Sequence, residues 1–215
     1  MKTVHFNLQD RERAEKIVQT VAKVLEDGGS IVYPTDTSYG LGVNAFSETA
    51  IEKIFLIKER ARQKPISVAV RDIAMAKRIA VVSAAAEKFL ARVWPGAVTV
   101  VLPRRSNLPE ALTDGKPVGM RCPKHTFHKM LFGFIDFPVT ATSANISGEG
   151  SIFGIEDLRA KFKNKKYLPD LVINAGSLAP SQPSTVVDLT GKELKILRVG
   201  PVSLEELTRL FNELR

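Results

Sequence analysis

The sequence predicts an α/β fold in which helices flank a mixed β-sheet. Apolar residues spaced for helices alternate along the chain with short β-prone runs rich in valine, isoleucine and leucine. Some of these runs follow one another too closely for the helical crossover that parallel neighbours need, so antiparallel pairs are expected too. A chain of 215 residues with 44% hydrophobic content can bury one full core, and we expect a single domain over residues 1–215.

The N-terminal part predicts a helix, a strand and a second helix. Apolar residues recur at three- and four-residue steps from Arg11 to Glu26 and predict an amphipathic helix. Residues 30–33 form a β-prone run that ends at Pro34 and leads into a polar loop, residues 35–40. Ser47 can cap the second helix, whose buried face is expected to be Ala50, Ile51, Ile54 and Phe55.

The remaining chain predicts mostly strands, with two more helices. Residues 84–93 have helical spacing, and Ser203 with Glu206 has the spacing of a capping box that starts a C-terminal helix. Residues 161–166 are lysine-rich and are expected to form a solvated helix end and loop. The predicted strands are residues 66–70, 97–102, 118–120, 139–142, 171–173, 185–189 and 194–197.

Composition narrows the class of protein. The net charge of +8 and the isoelectric point near 9.6 favour contacts with polyanions such as nucleotides or RNA. No apolar run approaches the roughly 20 residues that span a bilayer, and the N-terminal segment is too polar and acidic for a targeting peptide. We therefore expect a soluble, cytoplasmic protein without a membrane partner.

A zinc site and covalent catalysis are not indicated. Cys122 is the single cysteine, and the three histidines, His5, His125 and His128, offer no pair at zinc-ligand spacing beside it. The sequence contains neither a Gly-x-Ser-x-Gly elbow nor a His-Glu-x-x-His motif. We predict no protein metal site, and we expect Cys122 to be buried rather than nucleophilic.

A basic segment, residues 58–65, is a candidate anion site. Lys58, Arg60, Arg62 and Lys64 alternate with other residues, so an extended chain would align them on one side. At about 3.3 Å per residue the outer two would lie roughly 20 Å apart, so only two or three could act at one phosphate cluster. The alternative is that these cations complement the dipole of the preceding helix and otherwise lie in water.

Two polar loops are further candidates. Residues 33–42 concentrate hydroxyl groups, Asp36 and two glycines directly after a strand, without the spacing of a Walker or dinucleotide-binding motif. Residues 140–148 offer small polar groups that could contact a phosphate or a base. Local turns would explain both compositions equally well. Arg121 and Arg198 could each bind a carboxylate or phosphate as a planar fork, or form a structural ion pair.

Seven motifs, taken together, resemble the YrdC/TsaC family of threonylcarbamoyl-AMP synthases in order and spacing. They span roughly residues 28–210 and are YPTDTSYGLG, Lys58-x-Arg60, WPGAVTVVLP, VGMRCP, ATSANISG, STVVDLTG and LRVGPVS. The resemblance implies a twisted mixed sheet flanked by helices and open to a large basic concave cavity. It also implies the short, single-domain form of the family.

The same resemblance implies site residues. Those implied in catalysis are Lys58, Arg60, Ser143 and Asn145. Those implied in ATP binding are Lys58, Arg62, Ser143, Asn145 and Arg198. Those implied in threonine binding are Thr35, Ser67, Thr113, Arg121 and Ser184.

The implied reaction joins L-threonine, bicarbonate or carbon dioxide, and ATP into threonylcarbamoyl-AMP and pyrophosphate, as a nucleotidyltransferase with Mg²⁺ accompanying ATP. A TsaD-type transferase would consume the product during threonylcarbamoyladenosine modification of tRNA, and direct tRNA binding is possible. Lys58 and Arg60 suit the alignment of anions and the stabilisation of charge on phosphorus.

Departures from the family pattern keep two alternatives open. Ala61 stands where proline is usual, Ile66 where leucine is frequent, and Ala69 where histidine is common. The last could alter the amino-acid pocket, so one alternative is an enzyme of the same fold with another amino-acid substrate. The other alternative is a non-catalytic RNA-binding module, which the positive charge favours.

Overall fold

The computed structural model describes residues 1–214, which form helices around two mixed β-sheets. The helices are α1 Arg11–Glu26, α2 Glu48–Lys58, α3 Ile73–Ile79, α4 Ala84–Val93, α5 Glu110–Thr113, α6 Thr126–Leu131, α7 Ile155–Phe162 and α8 Leu204–Glu213. The strands are β1 Lys2–His5, β2 Ile31–Pro34, β3 Tyr39–Gly42, β4 Val68–Ala69, β5 Val98–Leu102, β6 Val118–Arg121, β7 Val139–Thr140, β8 Thr142–Ser143, β9 Leu171–Asn174, β10 Thr185–Asp188 and β11 Lys195–Arg198.

The strands divide between a first sheet, in the order β1-β9-β2-β3-β8, and a second sheet, in the order β11-β10-β5-β6-β4-β7. Both sheets contain parallel and antiparallel pairs, which confirms the mixed α/β class. The expectation of one sheet is corrected to two. Spacing along the chain could show that both pairing types occur, but not which strands become neighbours.

Side-chain caps begin several helices at the expected residues. Ser47 accepts a hydrogen bond from the backbone N–H of Ala50 at the start of α2, and Ser203 does the same for Glu206 at α8. These bonds satisfy N–H groups that lack a partner within the helix. The predicted bounds of α1 and α4 are confirmed, and α7 ends at Phe162 in the lysine-rich segment as expected.

The polar loop after β2 is shorter than predicted. Strand β3 already begins at Tyr39 and pairs antiparallel with β2, so the turn comprises only residues 35–38. A Cβ atom on Gly42 would lie 2.7 Å from Cγ1 of Val139 and 2.8 Å from Cε1 of Tyr33. Glycine at this position therefore lets two strands of different sheets approach closely.

The predicted strand over residues 139–142 is two strands in different sheets. β7 pairs with β4 of the second sheet, whereas β8 pairs with β3 of the first sheet. Between them, the backbone N–H of Ala141 donates a 2.7 Å hydrogen bond to the carbonyl of Ser67. A run that looks continuous in sequence is therefore the bridge between the two sheets.

Other differences also come from long-range contacts. The predicted strand over residues 66–70 is reduced to β4, because the N–H of Ile66 bonds instead to the carbonyl of Leu112. The sequence patterns did not predict α3, α5, α6 or β1. Strand β1 is mostly solvent-accessible and pairs with β9 about 170 residues away, so local hydrophobic alternation is weak.

Cys122 is buried, as expected, and burial raises the pKa of its thiol to about 11. Within residues 1–214, three or more His, Cys, Asp or Glu side chains do not come together in a way that could hold a metal ion. In the same part of the chain, every helix is too short or too polar to cross a membrane.

Candidate active site

Residues from both sheets line one cavity of about 470 Å³. The first sheet contributes Gly40 and the turn before it, and the second contributes Thr99 of β5 and Arg121 of β6. Ala141 and Ser143 of the bridge lie in its wall. The volume is in the range of sites that take small organic ligands.

The lining of the cavity carries more positive than negative side chains. Among the described residues, Lys58, Arg60, Arg121 and Arg198 bring positive charge to the lining, and Glu149 brings negative charge. Burial lowers the pKa values of Arg60 and Arg198, and the charge of Arg121 lowers that of Arg198 further. A bound anion would relieve this repulsion between cations.

Lys58 connects the end of α2 to the polar loop that follows β8. Its Nζ atom donates hydrogen bonds to the carbonyl of Ser143 at 2.5 Å, the carbonyl of Asn145 at 2.7 Å and Oδ1 of Asn145 at 2.9 Å. The side chain lies in the cavity wall, yet only 1% of the residue is exposed. Burial, followed by the charge of Arg60, lowers the pKa of Lys58 to about 7.

Asn145 fixes the same loop from the other side. Its Nδ2 atom donates to the carbonyls of Glu149 at 2.5 Å and Gly150 at 3.1 Å, while its Oδ1 atom accepts from Oγ of Ser143 at 2.5 Å. The turn that was an alternative to a ligand site is therefore present, and it also forms the wall of the cavity. The residues that shape this turn, Ser143 and Asn145, are therefore also candidate ligand-binding residues.

The basic segment is not extended, which corrects the expected alignment of its four cations. Lys58 ends α2, and Glu59 adopts a left-handed conformation with φ of 49°, so the chain turns at once. Arg60 reaches the cavity and donates to the carbonyls of Lys64 at 3.3 Å and Pro65 at 2.9 Å. Arg62 lies outside the cavity lining, paired with Glu52.

A buried ion pair holds the turn between β2 and β3. One amino group of the Arg121 guanidinium pairs with Asp36, and the other donates a 3.0 Å hydrogen bond to Oγ1 of Thr37. Among residues 1–214, Nε of Arg121 has no hydrogen-bond partner although it is buried. The hydroxyl of Thr35 donates to the carbonyl of Ser38 at 2.7 Å and lines the cavity beside this pair.

Another part of the cavity wall depends on a chain of polar groups between β5 and β11. Oγ1 of Thr99 and Oγ of Ser184 are 2.8 Å apart and share a hydrogen bond. Arg198 donates to the carbonyl of Ser184 through Nε at 3.1 Å and through a terminal nitrogen at 2.8 Å. These contacts fix the direction from which Arg198 and Ser184 approach the cavity.

Gly200 allows β11 to lie against this wall. A Cβ atom at position 200 would lie 2.2 Å from the carbonyl oxygen of Pro183 and 2.6 Å from the backbone nitrogen of Thr185. Only hydrogen fits in that space. The glycine of the motif LRVGPVS therefore brings Arg198 to Ser184.

The structure brings most of the implied site residues together. The cavity lining includes Thr35, Lys58, Arg60, Ser67, Arg121, Ser143, Asn145, Ser184 and Arg198. Arg62 and Thr113 lie outside it. Thr113 is fully buried at the end of α5, and its Oγ1 atom has no partner among the described residues.

Sequence reasoning missed Thr99 as a site residue. It is the one hydroxyl residue in the apolar strand sequence VTVVL, and it is 4% exposed. A buried hydroxyl group needs a hydrogen-bond partner, so its position inside such a run is the signal that could have identified it. Nothing local in sequence, however, indicates that its partner is Ser184.

Comparisons with known proteins identify relatives over nearly the whole chain. A family model that is named for Sua5, YciO and YrdC and described as telomere recombination matches residues 23–200. A threonylcarbamoyl-AMP synthase of Pyrococcus abyssi is 32% identical over 215 residues, covering 99% of this chain and 62% of that protein. A threonylcarbamoyl-AMP synthase of Psychromonas ingrahamii is 30% identical over 178 residues, covering 80% of this chain and 93% of that protein.

The crystal structure of P. abyssi Sua5 complexed with L-threonine has the same fold. It superposes with a TM-score of 0.88 at 30% identity, covering 100% of this chain and 61% of that one. The chain thus spans less than two thirds of the length of the P. abyssi protein.

Proposed function

Because the chain belongs to the family of Sua5, YciO and YrdC, we propose that it forms threonylcarbamoyl-AMP and pyrophosphate from L-threonine, bicarbonate or carbon dioxide, and ATP. It would act as a nucleotidyltransferase and as one domain over residues 1–215. Its product would serve a TsaD-type transferase in the cytoplasm, for tRNA modification. The observation that carries the proposal is the basic cavity whose lining brings together Lys58, Asn145 and Arg121 from distant parts of the chain.

ATP is assigned to the side of the cavity near Lys58. Arg60 and Arg198 line the cavity and offer planar donors to phosphate oxygens, and Ser143 lines it with its hydroxyl group. Lys58 supplies charge and holds the loop that carries Ser143 and Asn145. We leave Arg62 out of this assignment because its guanidinium faces Glu52.

Threonine is assigned to the side near Arg121. Arg121 lines the cavity, and its planar guanidinium group suits a carboxylate. Thr35, Ser67 and Ser184 add hydroxyl groups for the amino acid's polar atoms. Thr113 is not assigned, because it does not line the cavity.

The reaction needs no enzyme nucleophile. The threonine amine adds to carbon dioxide and loses a proton, and an oxygen of the resulting carbamate attacks the α-phosphorus of ATP while the bond to pyrophosphate breaks. Two anions must therefore be aligned and the charge on the transferring phosphoryl group stabilised. Cations fixed by hydrogen bonds suit both tasks.

Mg²⁺ would enter with ATP and be held mainly by the phosphate oxygens. The cavity lining contains the carboxylate of Glu149, but Oε2 of that residue already accepts a 2.5 Å hydrogen bond from Lys161. The protein's contribution would then be to hold the phosphates through the cations that line the cavity, Lys58, Arg60 and Arg198. This assignment requires no ligand cluster from the chain itself.

The test is to incubate the purified protein with ATP, Mg²⁺, bicarbonate and each of several amino acids. Pyrophosphate release is followed, the adenylate is identified by mass spectrometry, and Lys58→Ala serves as the control. We expect an adenylate that requires threonine and is lost in the variant. Turnover with another amino acid would support the alternative raised by Ala69, which lies in register with Arg121. No pyrophosphate release with any amino acid would reject the proposal.

A further inference from the structure

The loop that follows β8, residues 145–151, has both of its ends tied to one residue of β3. Before the loop, the backbone N–H of Ala144 donates a 2.9 Å hydrogen bond to the carbonyl of Tyr39. After the loop, the carbonyl of Ile152 accepts a 2.9 Å hydrogen bond from the N–H of Tyr39. Ala144 and Ile152 are fully buried. This segment, here named the rim loop, therefore leaves the core and returns to it at the same point, as compact surface loops do.

The tip of the rim loop lies in the cavity wall and has free space around it. Residues 148–150 are exposed, and a Cβ atom on Gly148 or Gly150 would meet no heavy atom of residues 1–214 within 4 Å. Gly148 also has a φ of 94°, which favours glycine. The rim-loop residues that line the cavity are Asn145, Ser147, Gly148, Glu149 and Ser151. A loop with a fixed base and a glycine-rich, uncrowded tip can move as a lid while the sheets stay in place.

An ion pair joins the tip to α7. Nζ of Lys161 lies 2.5 Å from Oε2 of Glu149, and the two side chains are 35% and 41% exposed. The backbone carbonyl of Glu149 accepts a hydrogen bond from Asn145, whose Oδ1 atom accepts one from Lys58. Contacts thus run without a break from Lys161 to Lys58 in the cavity wall. The lysine-rich segment, residues 161–166, was expected only to be solvated, and its first residue is connected to the candidate active site.

We propose that Lys161 is a positioning residue that holds the rim loop closed, as a lid on the nucleotide side of the cavity. Its ion pair draws Glu149 towards α7, so loss of the pair lets the tip open more often. The adenylate of the proposed reaction is a mixed anhydride that water can attack, and a lid that slows its escape also protects it. The inference rests on the proposed function for the identity of the ligand, but not for the movement of the loop.

The first measurement is amide hydrogen exchange in the full chain without any ligand. The N–H of Ser147 bonds to the carbonyl of Lys58 at 2.8 Å, and the N–H of Glu149 bonds to the carbonyl of Ile146 at 3.0 Å. Both amides should therefore report opening of the rim loop. Lys161→Gln should raise their exchange rates about threefold, which is the size of effect that one partly exposed ion pair can have. Lys161→Arg keeps the charge and should exchange like the wild type.

The matched control is Lys77→Gln. It breaks an ion pair with Glu87 at 2.6 Å, whose side chains are 44% and 45% exposed, and neither residue lines the cavity. This variant should leave the exchange rates of the rim loop unchanged. Unchanged rates in Lys161→Gln, or an equal increase in Lys77→Gln, would overturn the proposed role of Lys161.

The second measurement is the dissociation rate of ATP that carries an N-methylanthraniloyl fluorophore on its ribose, chased with excess unlabelled ATP. A closed lid predicts that Lys161→Gln and Glu149→Gln both accelerate dissociation about threefold and that the double variant resembles either one. Charge alone predicts opposite effects, because loss of a carboxylate strengthens the binding of a polyanion and loss of an ammonium group weakens it.

Slower dissociation from Glu149→Gln would therefore reject the lid. Additive effects of the two substitutions would show that Lys161 does not act through Glu149 and would reject it too. If the wild type does not bind the labelled ATP, the proposed function fails, and the exchange rates of Ser147 and Glu149 still decide whether Lys161 holds the rim loop closed.

Discussion

The ammonium group of Lys58 donates a 2.9 Å hydrogen bond to Oδ1 of Asn145, 87 residues further along the chain. Asn145 in turn holds the carbonyls of Glu149 and Gly150 through Nδ2. One lysine and one asparagine thus determine the shape of the loop in the cavity wall. The two side chains should behave as a unit.

Removing either member of this pair should cost nearly as much as removing both. Lys58→Met and Asn145→Ala each leave buried polar atoms without partners and let the loop shift, so pyrophosphate release should fall about 100-fold in each. The double variant should lose only a few-fold more, because the unit is already broken. Steady-state rates of pyrophosphate release by the wild type, the two single variants and the double variant give the coupling free energy between the two side chains. Independent, multiplicative losses would contradict a shared role.

ATP affinity should decrease as the pH rises above about 7. Below that pH Lys58 offers three N–H groups to its three acceptors, and the neutral amine offers only two. The ATP dissociation constant should therefore increase, approaching about tenfold per pH unit. Calorimetric titration with ATP at several pH values from about 6.5 to about 8.5 measures this dissociation constant. Lys58→Met should bind ATP weakly and without this dependence, and a flat wild-type profile would refute the mechanism.

The stability of the free protein responds to the same group with the opposite sign. Unfolded Lys58 keeps its proton up to about pH 10.5, whereas the folded state releases it near 7. The unfolded state therefore binds more protons in this window, and the contribution of Lys58 to the free energy of unfolding rises with pH.

Asp36→Asn should impair use of threonine and leave use of ATP nearly intact. The substitution removes the negative charge of Asp36, the buried partner that orients Arg121. We therefore expect the KM for threonine to rise about tenfold and the KM for ATP to change less than twofold. The matched control is Asp114→Asn, which breaks the exposed pair with Lys116. Equal effects of Asp36→Asn on both KM values would show that the turn acts on the whole cavity.

Thr99→Val should act through Ser184 as the loss of a positioning residue. Valine has nearly the same shape but cannot bond to Oγ of Ser184, whose backbone carbonyl holds Arg198. We expect kcat to fall about tenfold, while the melting temperature changes little. Thr99→Ser, which keeps the hydroxyl group, should restore most of kcat. A kcat that stays unchanged while stability falls would show that the hydroxyl has only a structural role.

The free energy of unfolding should fall by about 2 kcal/mol between pH 7 and pH 5 because of His128. This histidine is 3% exposed, and burial lowers its pKa to about 4. The unfolded state, with a pKa near 6.5, binds more protons between these values, so stability present at neutral pH is lost as the pH falls. Urea unfolding at several pH values measures the slope. His128→Gln should reduce this slope, and an identical slope in the variant would assign it to other groups.

Local signals predicted the parts of the fold that depend on local contacts. Periodicity and capping identified α1, α2, α4 and α8, because both are set within a few residues. The division of residues 139–142 between two sheets depends on β3 and β4, which lie far away in sequence. Local propensity contains no information about that choice.

The candidate site shows the same limit. Alternate spacing suggested that the four cations of residues 58–64 align, but the chain turns at Glu59, and only Lys58 and Arg60 among the four line the cavity. The motif resemblance implied Thr113, which the fold buries away from the cavity. Thr99, in contrast, enters the cavity because β5 is an inner strand of the second sheet.

Residues 139–143 form the bridge between the sheets, and three of them, Ala141, Thr142 and Ser143, also line the cavity. A ligand bound against Ala141 and Ser143 therefore also stabilises the bridge at which the two sheets would separate. Binding energy gained there is shared by both sheets, because local opening of either one would break the ligand's contacts. Strand β9 belongs to the first sheet and β5 to the second. The amide hydrogens of both strands should then exchange more slowly when the cavity is filled than when it is empty.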